Sequence, residues 1–233
     1  MAYRLKVNPA VFDRYPGFRA LILYAGGLRN RPSSEESHEI QRRAAEEARR
    51  AFGEEKPASH PHMAAWRQAY ADFGTKPSRF LNSAEALLRR VLRGDDLPRI
   101  SELVDLYNAV SIRYVLPCGG EDRDRLQSDL ELAFARGGEP FLTRSEGEDA
   151  VETTEAGEVV WMDAAGVTCR RWNWRQGLRT ALTLDTTNVY FLLESLAPYP
   201  LERLEAAGEE LAEHLRRQSP GCELEREILA RPG

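Results

Sequence analysis

The sequence predicts an α+β fold, and three observations carry the prediction. Helix signals crowd the first half of the 233 residues. Short alternating apolar runs crowd the part after Pro117. The two do not interleave as a doubly wound α/β fold requires. With 42% hydrophobic and 30% charged residues, the chain has a globular composition and buries a substantial core. Its length suits one domain over residues 1–233.

The elements follow in order. Tyr3, Leu5 and Val7 alternate and predict a short strand, and Phe18–Tyr24 predicts a second, more buried one stopped by Gly26-Gly27. Ser33 with Glu36 three residues on reads as a capping box opening a helix to about Phe52. Its opposite charges sit three and four apart, as on a solvated helix face. A short joint, Lys56–Pro61, precedes a helix from His62 to Phe73. Asn82 and Glu85 then form another capping box, and that helix runs from Ser83 to Arg93 and stops at Gly94. Pro98 precedes a helix from Ile100 to about Arg113. After Pro117 the runs Leu130–Phe134, Val159–Trp161, Val167–Cys169, Leu182–Leu184 and Val189–Leu193 read as strands. A last helix, Leu201–Arg217, is followed by a short tail.

Composition and absent motifs exclude much. No apolar run approaches the roughly 18 residues of a membrane span, and the N-terminal MAYRLKVNPA lacks a signal core, so a cytoplasmic protein is expected. Three cysteines without a CxxC pair speak against a disulfide framework or a zinc site. His60 and His62 flank Pro61 but have no third ligand nearby, so no metal and no cofactor is expected. The net charge of −5 speaks against a broadly basic nucleic-acid-binding surface. Arg outnumbers Lys 29 to 3, so any anion site here uses planar guanidinium forks. Glycine-rich dinucleotide loops, phosphate loops, the G-x-S-x-G elbow and H-E-x-x-H are absent.

Four local features remain. Cys169–Arg179 packs four arginines and two tryptophans into eleven residues, with no acid between Asp163 and Asp185. It reads either as a surface that stacks on bases and grips phosphate, or as a turn whose indoles close the core. Asp105, Asn108 and Ser111 recur every three residues and are expected to share one helical face; they line a pocket or cap neighbouring loops. Gly119-Gly120 reads as a turn exposing N–H groups ahead of Asp122 and Asp124, and Thr186-Thr187-Asn188 opens an apolar run.

Taken in order, these pieces resemble a known family. They are Ser83-x-Glu85, Leu103-Val104-Asp105-Leu106-x-Asn108-x-x-Ser111, the acidic turn near Asp124 and Gly138-Glu139-x-Phe141. Gly157-Glu158-Val159-Val160-x-x-Asp163, Trp172-Asn173-Trp174-Arg175 and Thr187-Asn188-Val189 follow. Over about residues 77–195 the chain resembles the tRNA-binding B-three/B-four domain of the bacterial phenylalanyl-tRNA synthetase beta subunit, in its freestanding version. Residues 1–76 then form an N-terminal extension packing on it.

The resemblance implies a layered α+β sandwich. It also implies a domain that hydrolyses the ester of mischarged tRNA, here in trans, or that only binds RNA or an amino acid. The expected partner is the charged 3′ end of tRNA, with neither membrane nor DNA. A full synthetase does not fit in the length given. Two departures fall where the pocket belongs. A histidine of the synthetase is replaced at about Gly119, and its Gly-rich loop is replaced by Trp172–Arg175. Both bear on substrate and on catalysis.

An aminoacyl ester is already reactive, so positioning a water and holding the oxyanion suffices in principle. Asn108, Ser111 and Thr187 are then the candidates for positioning water and substrate. An acid among Asp105, Asp124 and Glu158 binds the α-ammonium group, with Trp172, Trp174 and Arg175 at the substrate. Arg171, Trp174, Arg175 and Arg179 hold the RNA.

Overall fold

The computed structural model describes residues 3–232; Met1 and Ala2 of the N-terminal stretch MAYRLKVNPA lie outside them. In chain order the elements are β1 (Leu5–Val7), α1 (Pro9–Arg14), β2 (Arg19–Gly26), α2 (Glu35–Phe52), α3 (Pro61–Asp72), α4 (Ser83–Leu92) and α5 (Glu102–Tyr114). Then come β3 (Cys118–Asp122), β4 (Leu130–Phe134), β5 (Pro140–Ser145), β6 (Glu148–Thr153), β7 (Val159–Asp163), β8 (Gly166–Arg170) and β9 (Arg175–Gln176). The chain closes with β10 (Val189–Ser195), α6 (Leu201–Gln218) and β11 (Glu223–Ala230). The fold is α+β, as the sequence predicts.

Two open sheets are layered. One has the order β1-β4-β7-β8-β9, the other β11-β2-β10-β3, and β5-β6 is a separate hairpin. The alternation of β2 and β10 divides two cores. Ala20, Ile22, Tyr24, Tyr190 and Leu192 cluster with Leu130, Leu132 and Trp161 of the facing sheet. Leu21, Leu23, Val189, Phe191 and Leu193 cluster instead with apolar side chains of α5 and α6. Strand β2, from the region before the resemblance begins, is hydrogen-bonded to both β10 and β11.

Helix starts follow local chemistry, with adjustments. The cap of α2 is Ser34, one residue later than predicted. Its side chain accepts from the Ser37 N–H, and Ser37 returns the bond to the Ser34 N–H, both at 3.1 Å. Asn82 caps α4 by accepting from the Glu85 N–H at 2.9 Å. The Glu85 carboxylate does not return to the cap; it is buried and pairs with Arg67 and Arg89.

Three expectations are corrected. Gly119-Gly120 is not a turn but part of β3, antiparallel to β10. A Cβ on Gly120 would lie 2.9 Å from Phe191 Cδ1, so glycine there permits close packing. Leu182–Leu184 is loop, with Leu184 exposed. The tail after the last helix is strand β11, whose charged outer positions disguise its pairing with β2. The β5-β6 hairpin and the short α1 are further elements beyond those predicted.

Candidate functional site

A cavity of about 300 Å³ opens between the start of α4, the middle of α5, and strands β3, β7, β8 and β10. Its walls are largely aromatic, with Tyr107, Trp161, Trp172, Trp174 and Tyr190. Its polar lining includes Asn108, Glu121, Asn173, Gln176 and Glu194, with Arg175 as the cation.

Glu194 sits at the end of β10, on the face that carries Tyr190 and Leu192. It is 2% exposed. The Trp161 and Trp172 indole N–H groups both donate to its Oε1 at 3.1 Å, and Asn173 Nδ2 donates to Oε2 at 3.0 Å. Burial raises its carboxyl to about 7. The three donors oppose that rise and the charge of Glu121 adds to it.

Glu121, on β3, stands directly across from Tyr190 on β10. The Thr180 hydroxyl donates to it, and burial pushes its carboxyl up. The Tyr190 hydroxyl lies beside Glu121 and Thr168 but meets neither with hydrogen-bond geometry. Burial also pushes the thiols of Cys118 and Cys169, which line the cavity, well up, so neither is a thiolate.

The turn after β8 shapes the cavity. Arg171 and Trp172 both adopt left-handed backbone, with φ of 45° and 67°, a conformation costly for large side chains. Tertiary contacts hold it there. The Trp172 N–H donates to the Val159 carbonyl at 2.6 Å. The Tyr70 hydroxyl donates to Asn173 Oδ1 at 2.8 Å, and the Asn173 carbonyl accepts from the Ser83 N–H at 3.0 Å. The Trp172 ring meets Tyr15, Phe18 and Trp66 edge-on within 5.0 Å.

Beside the cavity runs a ladder of guanidinium and aromatic planes. The Arg79 guanidinium lies 5.1 Å from the Phe80 ring centre and that of Arg171 lies 3.9 Å from it. Phe80 packs edge-on against Trp174 at 4.8 Å, and Arg175 lies 5.7 Å from the Trp174 ring. Arg175 also donates to the Arg144 carbonyl and stands 3.5 Å from Glu152.

The residues singled out from the sequence separate into two groups. Asn108, Trp172, Trp174 and Arg175 line the cavity. The remaining seven do not, and each has a structural partner. Ser111 is fully buried and donates to the Leu116 carbonyl at 2.7 Å, locking the end of α5. Thr187 is exposed in a loop, its carbonyl accepting from the Leu28 N–H. Asp105 accepts from Ser37 and Gln41 and ties α5 to α2. Asp124 accepts from Asn188 at 2.7 Å in an exposed turn. Glu158 is paired with both Arg170 nitrogens at 2.8 and 2.9 Å. Arg171 is 5% exposed, pairs with Glu155 and supports the ladder from within. Arg179 pairs with the buried Asp163.

The spacing of Asp105, Asn108 and Ser111 explains their divergence. Each three-residue step lags the helical turn by about 60°. One residue therefore faces α2, one the cavity and one the helix end. Glu121, Tyr190 and Glu194 were not singled out. The signal was an acid inside the apolar run Val189–Ser195, and a second acid after two glycines.

Among the described residues no group of three His, Cys, Asp or Glu is placed to hold a metal ion. His62 is consumed internally: its Nδ1 bonds the Val115 carbonyl, and Nε2 accepts from the Trp66 indole and the Leu196 N–H. No helix among the described residues is long and apolar enough to cross a membrane.

Comparison with known proteins places this cavity in context. A family described as the B3/4 domain matches residues 65–209, more than half of the chain. No curated protein matches it. The chain is similar, at 13% identity and a TM-score of 0.48, to an N-terminal fragment of the phenylalanyl-tRNA synthetase beta-subunit from Pyrococcus horikoshii. That alignment covers 100% of this chain and 56% of the fragment, so the chain spans about half the fragment's length.

Proposed function

The chain belongs to the B3/4 domain family, and on that premise we propose that it seats an aminoacyl group at the 3′ end of a tRNA in the central cavity and hydrolyses the ester in trans. The observation that carries this reading is the cavity itself. It lies within the matched segment, has amino-acid dimensions, and joins an acidic aromatic interior to a guanidinium-aromatic ladder.

In this reading the roles divide by position. Arg79, Phe80, Trp174 and Arg175 stack on the exposed terminal bases and meet their phosphates. One carboxylate of the pair Glu121 and Glu194 meets the α-ammonium group. Asn108 is 7% exposed, lines the cavity, and its amide makes no hydrogen bond among the described residues, so it is free to hold the attacking water or the ester carbonyl. Water oxygen bonds to the carbonyl carbon, the bond to the ribose oxygen breaks, and the ribose hydroxyl leaves with the proton that water releases. The enzyme's contribution is orientation and polarity around an already reactive ester.

A second reading, a binding module without catalysis, is favoured by one observation. Two classes of nucleophile are set aside: the thiols of the cavity are pushed out of the thiolate range, and Ser111 and Thr187, the hydroxyls singled out from the sequence, lie elsewhere. The experiment is a deacylation screen of the purified protein against tRNAs charged correctly and incorrectly. Hydrolysis above the uncatalysed rate, lost in Asn108→Ala, supports the hydrolase. Salt-dependent tRNA binding without hydrolysis supports the binding module.

A further inference from the structure

Glu121 and Glu194 are 7% and 2% exposed, and both line the cavity. Among the described residues neither has a Lys, Arg or His partner within ion-pair distance. Arg175, the cation of the lining, is engaged with Glu152 and the Arg144 carbonyl. Arg179, the arginine whose charge reaches Glu121, is committed to Asp163. Two acids in one buried space without a counter-charge are costly.

A second observation points to a polar ligand. Tyr190 is 1% exposed, lines the same cavity beside Glu121, and its hydroxyl has no hydrogen-bond partner. The walls add a third. Tyr107, Trp161 and Trp172 offer aromatic surface, which attracts a desolvated cation.

We propose that the cavity is built for a ligand with two ammonium groups, one at the α-carbon and one at the end of a flexible side chain, so that diamino acids of the lysine and ornithine type are its preferred aminoacyl groups. This rests on the reading above. An ordinary aminoacyl group brings one positive charge, which one carboxylate satisfies. The second carboxylate then remains without a counter-charge, and the Tyr190 hydroxyl without a hydrogen bond. A side-chain ammonium supplies three donors and the missing charge. A neutral side chain fills the volume but leaves the second acid uncompensated. The raised carboxyls of both glutamates fit the same account, since a bound cation favours their charged forms.

Calorimetry with lysinamide and norleucinamide tests it, because the two differ chiefly in the terminal ammonium. Lysinamide is expected to bind at least about tenfold tighter. That gap closes in Glu121→Gln and in Glu194→Gln. Equal affinities in the wild-type protein, or a gap that survives both substitutions, overturn the proposal. The wild-type comparison decides by itself if a variant fails to fold. One tRNA charged with lysine or with norleucine separates this inference from the one beneath it. Equal hydrolysis of both esters sinks the diamino preference and leaves the hydrolase. Hydrolysis of neither, with lysinamide still preferred, sinks the hydrolase and leaves the cation site.

Discussion

The indole of Trp172 donates to Glu194 Oε1 at 3.1 Å across 22 residues of sequence. This bond ties the left-handed turn after β8 to the end of β10, and with it one wall of the cavity to its buried acid. Trp172→Phe keeps most of the ring and deletes the donor. The variant is expected to lose about 1–2 kcal/mol in urea unfolding, since a bond to a charged group is removed. It is also expected to raise the Glu194 carboxyl further. Unchanged stability and an unchanged titration would show that the bond contributes nothing.

Glu194 and His62 set opposing pH dependences. The Glu194 carboxyl is raised to about 7 in the fold from an ordinary 4.5. Its contribution is therefore present below about 4.5 and is lost as pH rises through 7. The His62 imidazole is lowered by burial to about 4 from 6.5. Its contribution is present above 6.5 and is lost as pH falls through 4. Between these limits the two slopes offset, and each is on the order of 3 kcal/mol in total. Glu194→Gln should steepen the loss of stability on acidification. His62→Asn should reverse the trend, giving a less stable protein that gains stability as pH falls from 7. Parallel profiles for the two variants would refute the assignment.

Adjacent glycines on β3 have separable roles. Gly120 faces Phe191, and an added Cβ has no room, so Gly120→Ala should cost about 1–3 kcal/mol of stability. Gly119 shares the Glu121 face, lines the cavity, and an added Cβ meets nothing within 4 Å. Gly119→Ala should leave the melting temperature within about 2 °C of wild type and weaken lysinamide binding severalfold. A normal Kd in Gly119→Ala would remove β3 from the binding wall.

The arginines around the cavity also divide. Arg175→Ala and Phe80→Ala should weaken tRNA binding by about tenfold, because they stand on the ladder; Arg175→Ala with little change in stability, Phe80→Ala with a cost of about 1–2 kcal/mol, because its ring also packs on the core. Arg179→Ala should leave the buried Asp163 unpaired and cost about 3 kcal/mol, without a matching specific loss of RNA affinity in the folded fraction. Filter binding at two salt concentrations, alongside urea melts, distinguishes the two classes. Tenfold loss of affinity in folded Arg179→Ala would contradict the division.

The parts legible in the sequence were those that local chemistry controls. Asn82 signalled the start of α4, and the apolar alternation in β2, β4, β7 and β10 placed those strands within a residue or two. The order of family motifs from Ser83 to Val189 identified the B3/4 domain, which the match to residues 65–209 establishes. Strand β11 was hidden because it lies at a sheet edge with no fully buried side chain and an irregular burial pattern, where charge is favourable. The β5-β6 hairpin was hidden because most of its side chains are exposed.

The candidate site was half legible, and the missed half has a physical cause. Residue type and spacing marked Asn108, Trp172, Trp174 and Arg175 as chemically capable, and these do line the cavity. The same criteria marked Arg171, Arg179, Glu158 and Asp105, whose charges are spent on partners as far as 68 residues away. Sequence determined where five of the helices and the central strands form, and which family the chain belongs to, because capping, periodicity and motif order are properties of neighbouring residues. Tertiary structure alone decided which polar groups remain without a partner. Pairing is a property of space, and it left Glu121 and Glu194 without a counter-charge, and the Tyr190 hydroxyl without a hydrogen bond, facing one cavity.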